Sequence, residues 1–113
     1  MKLAIASQGP ELTSPVDPRF GRAKCFLVVD TETDEIQAVD NSTNLNAAHG
    51  AGVQAGKTVA DLGVEAAIAG NVGPKALGTL SAAGVRVYSG ATGTVADAIE
   101  QFEAHKLTLN VQT

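Results

Sequence analysis

Short apolar runs separated by polar turns mark the first part of the chain. Lys2–Ser7 and Lys24–Asp30 are rich in Ala, Ile, Leu and Val, which is typical of buried β-strands. A polar turn at Thr31–Glu35 leads to a third predicted strand, Ile36–Asp40, so the second and third strands are expected to form a hairpin. The segment Gln8–Gly21 is rich in Gly, Pro and Ser. At about 14 residues it exceeds the usual connection of about 4 to 6, which indicates a functional loop.

The second part of the chain alternates helical and strand patterns. A helix is predicted over 50–62, followed by a strand over 64–69 and a second helix that begins at Pro74, where the missing amide costs nothing. A fifth strand is predicted over 85–88, after the glycine that stops this helix. Thr94 and Asp97 then resemble a capping box at the start of a third helix.

A strand hairpin followed by β-α repeats predicts a single α/β domain over residues 1–113. We expect three α/β/α layers, with a mixed five-stranded sheet in the order 3-2-1-4-5 and three helices. This order suits a ribonuclease-H-like sheet, but the first strand lacks the acidic residue that would hold a catalytic Mg²⁺. Nuclease chemistry is therefore not expected.

Composition narrows the functional classes. The formal net charge is −4, with eight Lys and Arg against twelve Asp and Glu, so the chain lacks the basic field that attracts nucleic acids. Cys25 is the single cysteine and cannot form an internal disulfide. The amino terminus lacks the pattern of a secretory signal, and no apolar run reaches the roughly 18 to 20 residues that cross a bilayer. We expect a cytoplasmic protein that binds neither nucleic acids nor membranes.

Two glycine-rich segments are candidates for anion binding. Gly56-Lys57-Thr58 ends the first, but Ala51 stands where a phosphate loop needs glycine, and no strand runs directly into it. The second, residues 70–75, joins a predicted strand to a helix, where open α/β sheets gather ligands and helix amides favour an anion. The alternative is an ordinary strand-to-helix turn, and the residue pattern leaves both open.

Two side chains are candidate metal ligands. His49 lies in a polar segment, where an isolated histidine is more often exposed or locally hydrogen-bonded than a ligand. Cys25 shares a strand face with Leu27 and Val29, which favours a buried thiol in the core. The chain has no Gly-x-Ser-x-Gly, Cys-x-x-Cys or His-x-x-x-His pattern, so the motifs indicate no enzyme class.

Three blocks of residues together resemble the dinitrogenase iron–molybdenum cofactor biosynthesis family. They are SPVDPRFGRA at 14–23, HGAGVQ at 49–54 and AGNVGPKA at 69–76, followed by Gly93-Thr94-Val95 at the start of the last helix. These blocks in this order cover nearly the whole chain and are more specific than any single motif. The resemblance implies a ribonuclease-H-like α/β/α fold, and the length is similar to that of short stand-alone members, among them one from sulfate-reducing bacteria.

The resemblance also implies a function, the noncovalent binding or carrying of an anionic metal–sulfide cluster without catalysis. The implied cofactor is a molybdenum–copper sulfide cluster or an iron–molybdenum type of cluster. Such a cluster carries its own sulfur, so the protein need only supply amide donors, cations and apolar contacts. The implied roles are charge neutralisation by Arg19, Arg22 and Lys75, amide donation by Gly50, Gly52, Asn71 and Gly73, an apolar wall from Phe20, and direct metal ligation by His49 or Cys25.

Other functions remain open at the level of sequence. The main alternative is a metal-free regulatory or interaction module of the same fold that binds a protein partner. A more distant one is an enzyme acting on a phosphate-bearing substrate at residues 71–75. For the cluster-binding protein we expect a monomer, since no surplus apolar face is evident, and a cofactor-receiving or regulatory protein as its partner.

Overall fold

The computed structural model describes residues 1–41 and 50–111. Along these residues the strands and helices are, in order, β1 (Lys2–Ser7), β2 (Cys25–Asp30), β3 (Ile36–Asp40), α1 (Ala51–Ala60), β4 (Ala66–Ile68), α2 (Pro74–Ala82), β5 (Arg86–Ser89), α3 (Val95–Glu103) and β6 (Thr108–Asn110). The predicted capping box is present at α3, because Thr94 and Asp97 each accept a hydrogen bond from the other's backbone N–H. None of the helices described is long and apolar enough to cross a membrane.

All six of these strands form one mixed sheet in the order β3-β2-β1-β4-β5-β6. The three central strands, β1, β4 and β5, run parallel, with Ile5 paired to Ile68 and Ile68 to Tyr88. β2 and β3 extend the sheet antiparallel on one side, where Leu27 faces Ile5. The predicted α/β/α fold is therefore confirmed, and so is the order of its first five strands.

The prediction of a five-stranded sheet is wrong by one strand. β6 pairs antiparallel with β5, with Leu109 opposite Tyr88, and the Ser89 hydroxyl bonds to the Asn110 side chain at an O···O distance of 2.8 Å. The three residues of β6 are exposed or half-buried, so they lack the alternation that marks a strand in the sequence. Pairing to β5 across the fold, rather than local preference, makes this segment a strand.

The sheet is buried on both faces by helices. On one face, α1 and α2 cover small and aromatic side chains such as Ala4, Phe26 and Ala67. On the other face, α3 covers Ile5 and Ile68 together with their neighbours on β1 and β2. Successive strand residues point to opposite faces, so each buried strand contributes to both cores. Both cores hold the central strands rigidly, and the ends of those strands are therefore fixed points for a site.

Candidate anion-binding cleft

The long loop after β1 is tied down at the carboxyl ends of the central strands. Its backbone bridges to the end of β1, to the residue before α3 and to the segment after β4. Asp17 N–H donates to the Ala6 carbonyl at 2.9 Å, and Gly70 N–H donates to the Asp17 carbonyl at 3.3 Å. Phe20 N–H donates to the Asn71 carbonyl at 3.1 Å. The loop therefore carries residues 17–22 as a fixed ledge beside the segment that opens α2.

Close backbone contacts hold this ledge in place. A Cβ on Gly70 would lie 2.7 Å from Pro18 Cα, and a Cβ on Gly21 would lie 3.0 Å from Gly52 Cα. Real Cβ atoms do not approach backbone atoms at the first of these distances, so a side chain at Gly70 would displace the loop. Phe20, which is 1% exposed, anchors the ledge in the core with its ring centroid 4.9 Å from that of Phe26.

The amino termini of α1 and α2 meet beside this ledge. Gly52 faces Ala76, and one turn later Gly56 faces Thr79 so closely that a Cβ on Gly56 would lie 3.0 Å from Thr79 Cβ. The two helices therefore run side by side in the same direction. Their N-cap residues are Gly50, at φ 76°, and Gly73, in an extended conformation. No side chain of the described residues caps either helix, and neither first turn contains an acidic residue. Both positive dipole ends and their unbonded amides therefore point to one region.

The ledge and the amino termini of α1 and α2 surround a cleft of about 540 Å³, a volume within the range of small-ligand sites. We call it the basic cleft. It is lined by Arg19, Phe20, Gly21, Arg22, Gly50, Ala51, Gly52, Asn71, Gly73, Pro74, Lys75 and Ala76. All eight residues assigned to cofactor binding from the sequence are among them. The structure thus brings together residues up to 56 positions apart in the chain, while their roles in binding a ligand stay predictions.

The lining of the basic cleft carries cations and no carboxylate. Arg19, Arg22 and Lys75 contribute the positive charges. The nearest acidic group to Arg19 is Asp17, which is 5% exposed and whose Oδ1 accepts the Arg19 backbone N–H at 2.9 Å and lies 3.9 Å from Arg19 Nε. Asp17 thereby orients Arg19, whose side chain is 67% exposed. In a chain of net charge −4, the cleft is a local region of opposite sign.

Of the two candidate metal ligands, the structure describes one, Cys25. Cys25 is buried on β2, outside the lining, and its thiol donates to the Gly9 carbonyl with an S···O distance of 3.3 Å. Burial raises the pKa of this thiol, which keeps it protonated at neutral pH and makes it a poor ligand. His49 lies outside the described residues. Within residues 1–41 and 50–111, no three His, Cys, Asp or Glu side chains gather as a metal site would require.

Four lining residues were not assigned from the sequence, namely Gly21, Ala51, Pro74 and Ala76. Each lies inside one of the three blocks that carry the family resemblance, next to an assigned residue. They are small or apolar, so residue type gives no sign of a ligand role. Only their position within the three blocks could have indicated that they line the cleft. They form the parts of its wall between the charged residues and the amide donors.

Comparison with known proteins identifies the family and the fold. The sequence profile of the dinitrogenase iron–molybdenum cofactor family matches residues 1–105. An uncharacterized protein of Methanocaldococcus jannaschii is 33% identical over 109 residues, which is 95% of this chain and 89% of that protein. The apo form of the orange protein from Desulfovibrio gigas superposes with a TM-score of 0.92 and 38% identity, covering 96% of this chain and 92% of that one.

A second solved structure is similar over the whole chain. A putative NifB protein from Thermotoga has a TM-score of 0.83 and 39% identity, covering 99% of this chain and 97% of that one. The resemblance drawn from the three sequence blocks is confirmed by these matches. The chain belongs to the dinitrogenase iron–molybdenum cofactor family, which is associated with the binding or biosynthesis of that cofactor.

Proposed function

We propose that this protein binds and carries an anionic metal–sulfide cluster, of molybdenum with copper or iron, noncovalently in the basic cleft, and that it catalyses no reaction. One observation carries the proposal. The amino termini of the parallel helices α1 and α2 point into the cleft, and no side chain of the described residues caps either one. The described lining of the cleft holds three cations and no carboxylate. Helix amides and dipoles of this kind favour a bound anion.

The lining suits a metal cluster whose metals already have sulfide ligands. Sulfide bridges complete the coordination of the metals, so the protein need only neutralise charge and donate hydrogen bonds to sulfur. Arg19, Arg22 and Lys75 would supply the charge, and the amides at the start of α1 and α2 would supply the donors. Phe20, which is 1% exposed, would support the wall of the cleft from within the core rather than cover the cluster itself. Gly50, Gly52 and Gly73 allow close approach because they have no side chain between the backbone and the ligand.

Electrostatics also favours this assignment. The chain as a whole is acidic, so the positive charges that line the cleft favour an anion there over most of the surface. Because the cleft is open and Arg19 and Lys75 are exposed, this attraction is screened by salt with a Debye length of about 10 Å at 0.1 M. Affinity for an anionic cluster should therefore fall as ionic strength rises.

The experiment adds tetrathiomolybdate, with and without Cu(I), to the metal-free protein and follows visible absorption and melting temperature. Binding is expected to give a new charge-transfer band and a rise in melting temperature, because a ligand that binds the folded state stabilises it.

Lys75→Ala removes a cation from the first turn of α2 and should weaken binding about fivefold. Lys57→Ala is the matched control, because this exposed lysine lies in the last turn of α1, away from the cleft.

Two further variants refine the outcome. Arg22→Ala should weaken the band as Lys75→Ala does, and His49→Ala tests the predicted metal ligand outside the described residues. If neither a band nor a melting shift appears in the unaltered protein, the cargo proposal fails, and the alternative of a metal-free module with a protein partner takes its place. Equal effects of Lys75→Ala and Lys57→Ala would show that binding occurs elsewhere than in the basic cleft.

A further inference from the structure

A second concavity adjoins the basic cleft. It has a volume of about 440 Å³ and shares the side chains of Arg19 and Arg22 with the cleft. We call it the side pocket. Its lining is Gln8, Asp17, Pro18, Arg19, Arg22 and Lys24. The two arginines on the ledge therefore border two openings, and Lys24 adds a cation that the basic cleft lacks.

Charge is unevenly distributed between this region and the rest of the protein. The two openings together contain Arg19, Arg22, Lys24 and Lys75, which are half of the eight Lys and Arg residues. Their only carboxylate is Asp17. The remaining four cations of the chain stand against eleven carboxylates. The electrostatic field therefore attracts an anion to the ledge at both openings, the basic cleft and the side pocket.

Asp17 offsets part of this positive charge, because its carboxylate belongs to the lining of the side pocket. Its carboxylate is 5% exposed and already accepts the Arg19 backbone N–H at 2.9 Å, with Arg19 Nε 3.9 Å away. The lining still holds three cations, Arg19, Arg22 and Lys24, against this one carboxylate, so its formal charge stays positive. Lys24 and Gln8 are both exposed, so an ammonium group and a side-chain amide stand at the mouth of the pocket.

We propose that the side pocket is a second anion subsite, which takes a mononuclear tetrahedral oxo- or thioanion of the molybdate class next to the cluster in the basic cleft. This inference rests on the proposed function, since the cluster is assembled from such anions or breaks down to them. A guanidinium group binds two oxygen or sulfur atoms of a tetrahedral anion through its paired N–H groups, and a lysine adds a compact charge. The pocket is concave, whereas docking of an acidic protein face needs a broader surface.

Shared arginines make the two sites interdependent. An anion in one site partly neutralises Arg19 and Arg22 and repels an anion in the other, so occupancy of each site weakens the other by the same factor. Binding should therefore occur in two separated steps rather than in one cooperative step. The basic cleft, with its helix amino termini, fills first, and the side pocket fills second.

The test uses tetrathiomolybdate without copper. Equilibrium dialysis with molybdenum analysis gives the stoichiometry, and ¹⁵N–¹H spectra of the labelled protein locate each step. Two molybdenum atoms per chain are expected, with the amides of Gly52 and Ala76 shifting in the first step and those of Gln8 and Lys24 in the second. Lys24→Ala should weaken the second step about fivefold and leave the first unchanged, whereas Lys75→Ala should do the reverse. Lys57→Ala serves again as the control for removing one exposed charge.

The two proposals fail in different ways. One molybdenum per chain, with Lys24→Ala behaving like Lys57→Ala, would overturn the second subsite and leave the basic cleft standing. A step that responds to Lys24→Ala without any step that responds to Lys75→Ala would overturn the basic cleft as the primary site instead. Shifts of Gln8 and Lys24 that saturate in the first step would also overturn the second subsite, because they would assign both regions to one bound anion.

Discussion

The amino termini of the helices are built in two contrasting ways. At α3, Thr94 and Asp97 form a reciprocal capping box, with N···O distances of 3.0 and 3.1 Å, so the helix satisfies its own first amides. At α1 and α2 the N-caps are Gly50 and Gly73, and no described side chain accepts a hydrogen bond from the first turn. Both kinds of amino terminus occur in the same small chain. Whether a helix start is capped therefore depends on where that helix begins in the fold.

The contrast separates a structural terminus from a ligand-binding one. A glycine N-cap is weaker than Asp, Asn or Ser by only a few tenths of a kcal/mol, so the open ends of α1 and α2 cost the fold little. A carboxylate at either end would instead occupy the amides and repel an anion. The absence of acidic residues from the first turns of α1 and α2 therefore preserves the basic cleft at small cost in stability.

The largest expected effect comes from giving α2 the kind of cap that α3 has. Gly73→Asp fits without strain, because the backbone is extended and nothing lies within 4 Å of a Cβ there. The new carboxylate would accept a bond from the α2 amides and place a negative charge in the cleft. Binding of tetrathiomolybdate should weaken at least about tenfold, equivalent to about 1.4 kcal/mol, while melting temperature without ligand stays equal or rises slightly.

Gly73→Ser is the control for that change. The hydroxyl caps the same amides without adding charge, so the loss of affinity should be smaller than with aspartate. Equal binding by the Gly73→Asp variant and the unaltered protein would show that the α2 amino terminus does not face the bound anion. The measurement is a visible-absorption titration at fixed ionic strength, because salt alone changes the affinity.

The second effect is the converse, removal of the cap from α3. Thr94→Ala should destabilise the protein by about 1 kcal/mol, since the first turn of α3 loses a hydrogen-bond acceptor, and lower the melting temperature by roughly 4 to 6 °C. Affinity for tetrathiomolybdate should not change, because Thr94 does not line the basic cleft. Thr94→Ser keeps the oxygen and should restore most of the stability. If Thr94→Ala also lowers the affinity for tetrathiomolybdate, the start of α3 influences the ledge, and the bridge between Pro15 and Thr94 is the contact that connects them.

The amino termini of α2 and α3 are both predictable from the sequence. The capping box at α3 is a local pattern, and Pro74 likewise marks the start of α2, so both were predicted correctly. The central strands were predicted from apolar runs that the sheet buries on both faces. β6 was missed because Leu109 is 49% exposed and its neighbours are polar, so only its pairing with β5 identifies it.

The candidate site was predictable as a set of residues but not as an arrangement. The family blocks named eight lining residues, and the rule that ligands gather at the carboxyl ends of parallel strands indicated a place for residues 70–75 alone. Nothing local indicates that Gly21 packs against Gly52 or that Arg19 and Arg22 border two openings. Nor does the sequence predict that Asp17 is buried, since aspartate is usually exposed. Such contacts between distant segments appear only in the folded chain.

The smallest expected effect concerns Cys25, which lies outside both kinds of helix terminus. Its thiol donates to the Gly9 and Ser7 carbonyls at S···O distances of 3.3 and 3.7 Å, and burial raises its pKa, so at neutral pH it stays a protonated core group. Cys25→Ala should therefore change the affinity for tetrathiomolybdate by less than about twofold, because the thiol is buried outside the lining of the basic cleft. Alkylation of the folded protein by iodoacetamide should be slower than that of the unfolded chain, because the thiolate is the reactive form. Loss of the charge-transfer band in Cys25→Ala, at unchanged melting temperature, would make this thiol a metal ligand and move the cluster from the helix amino termini toward β2.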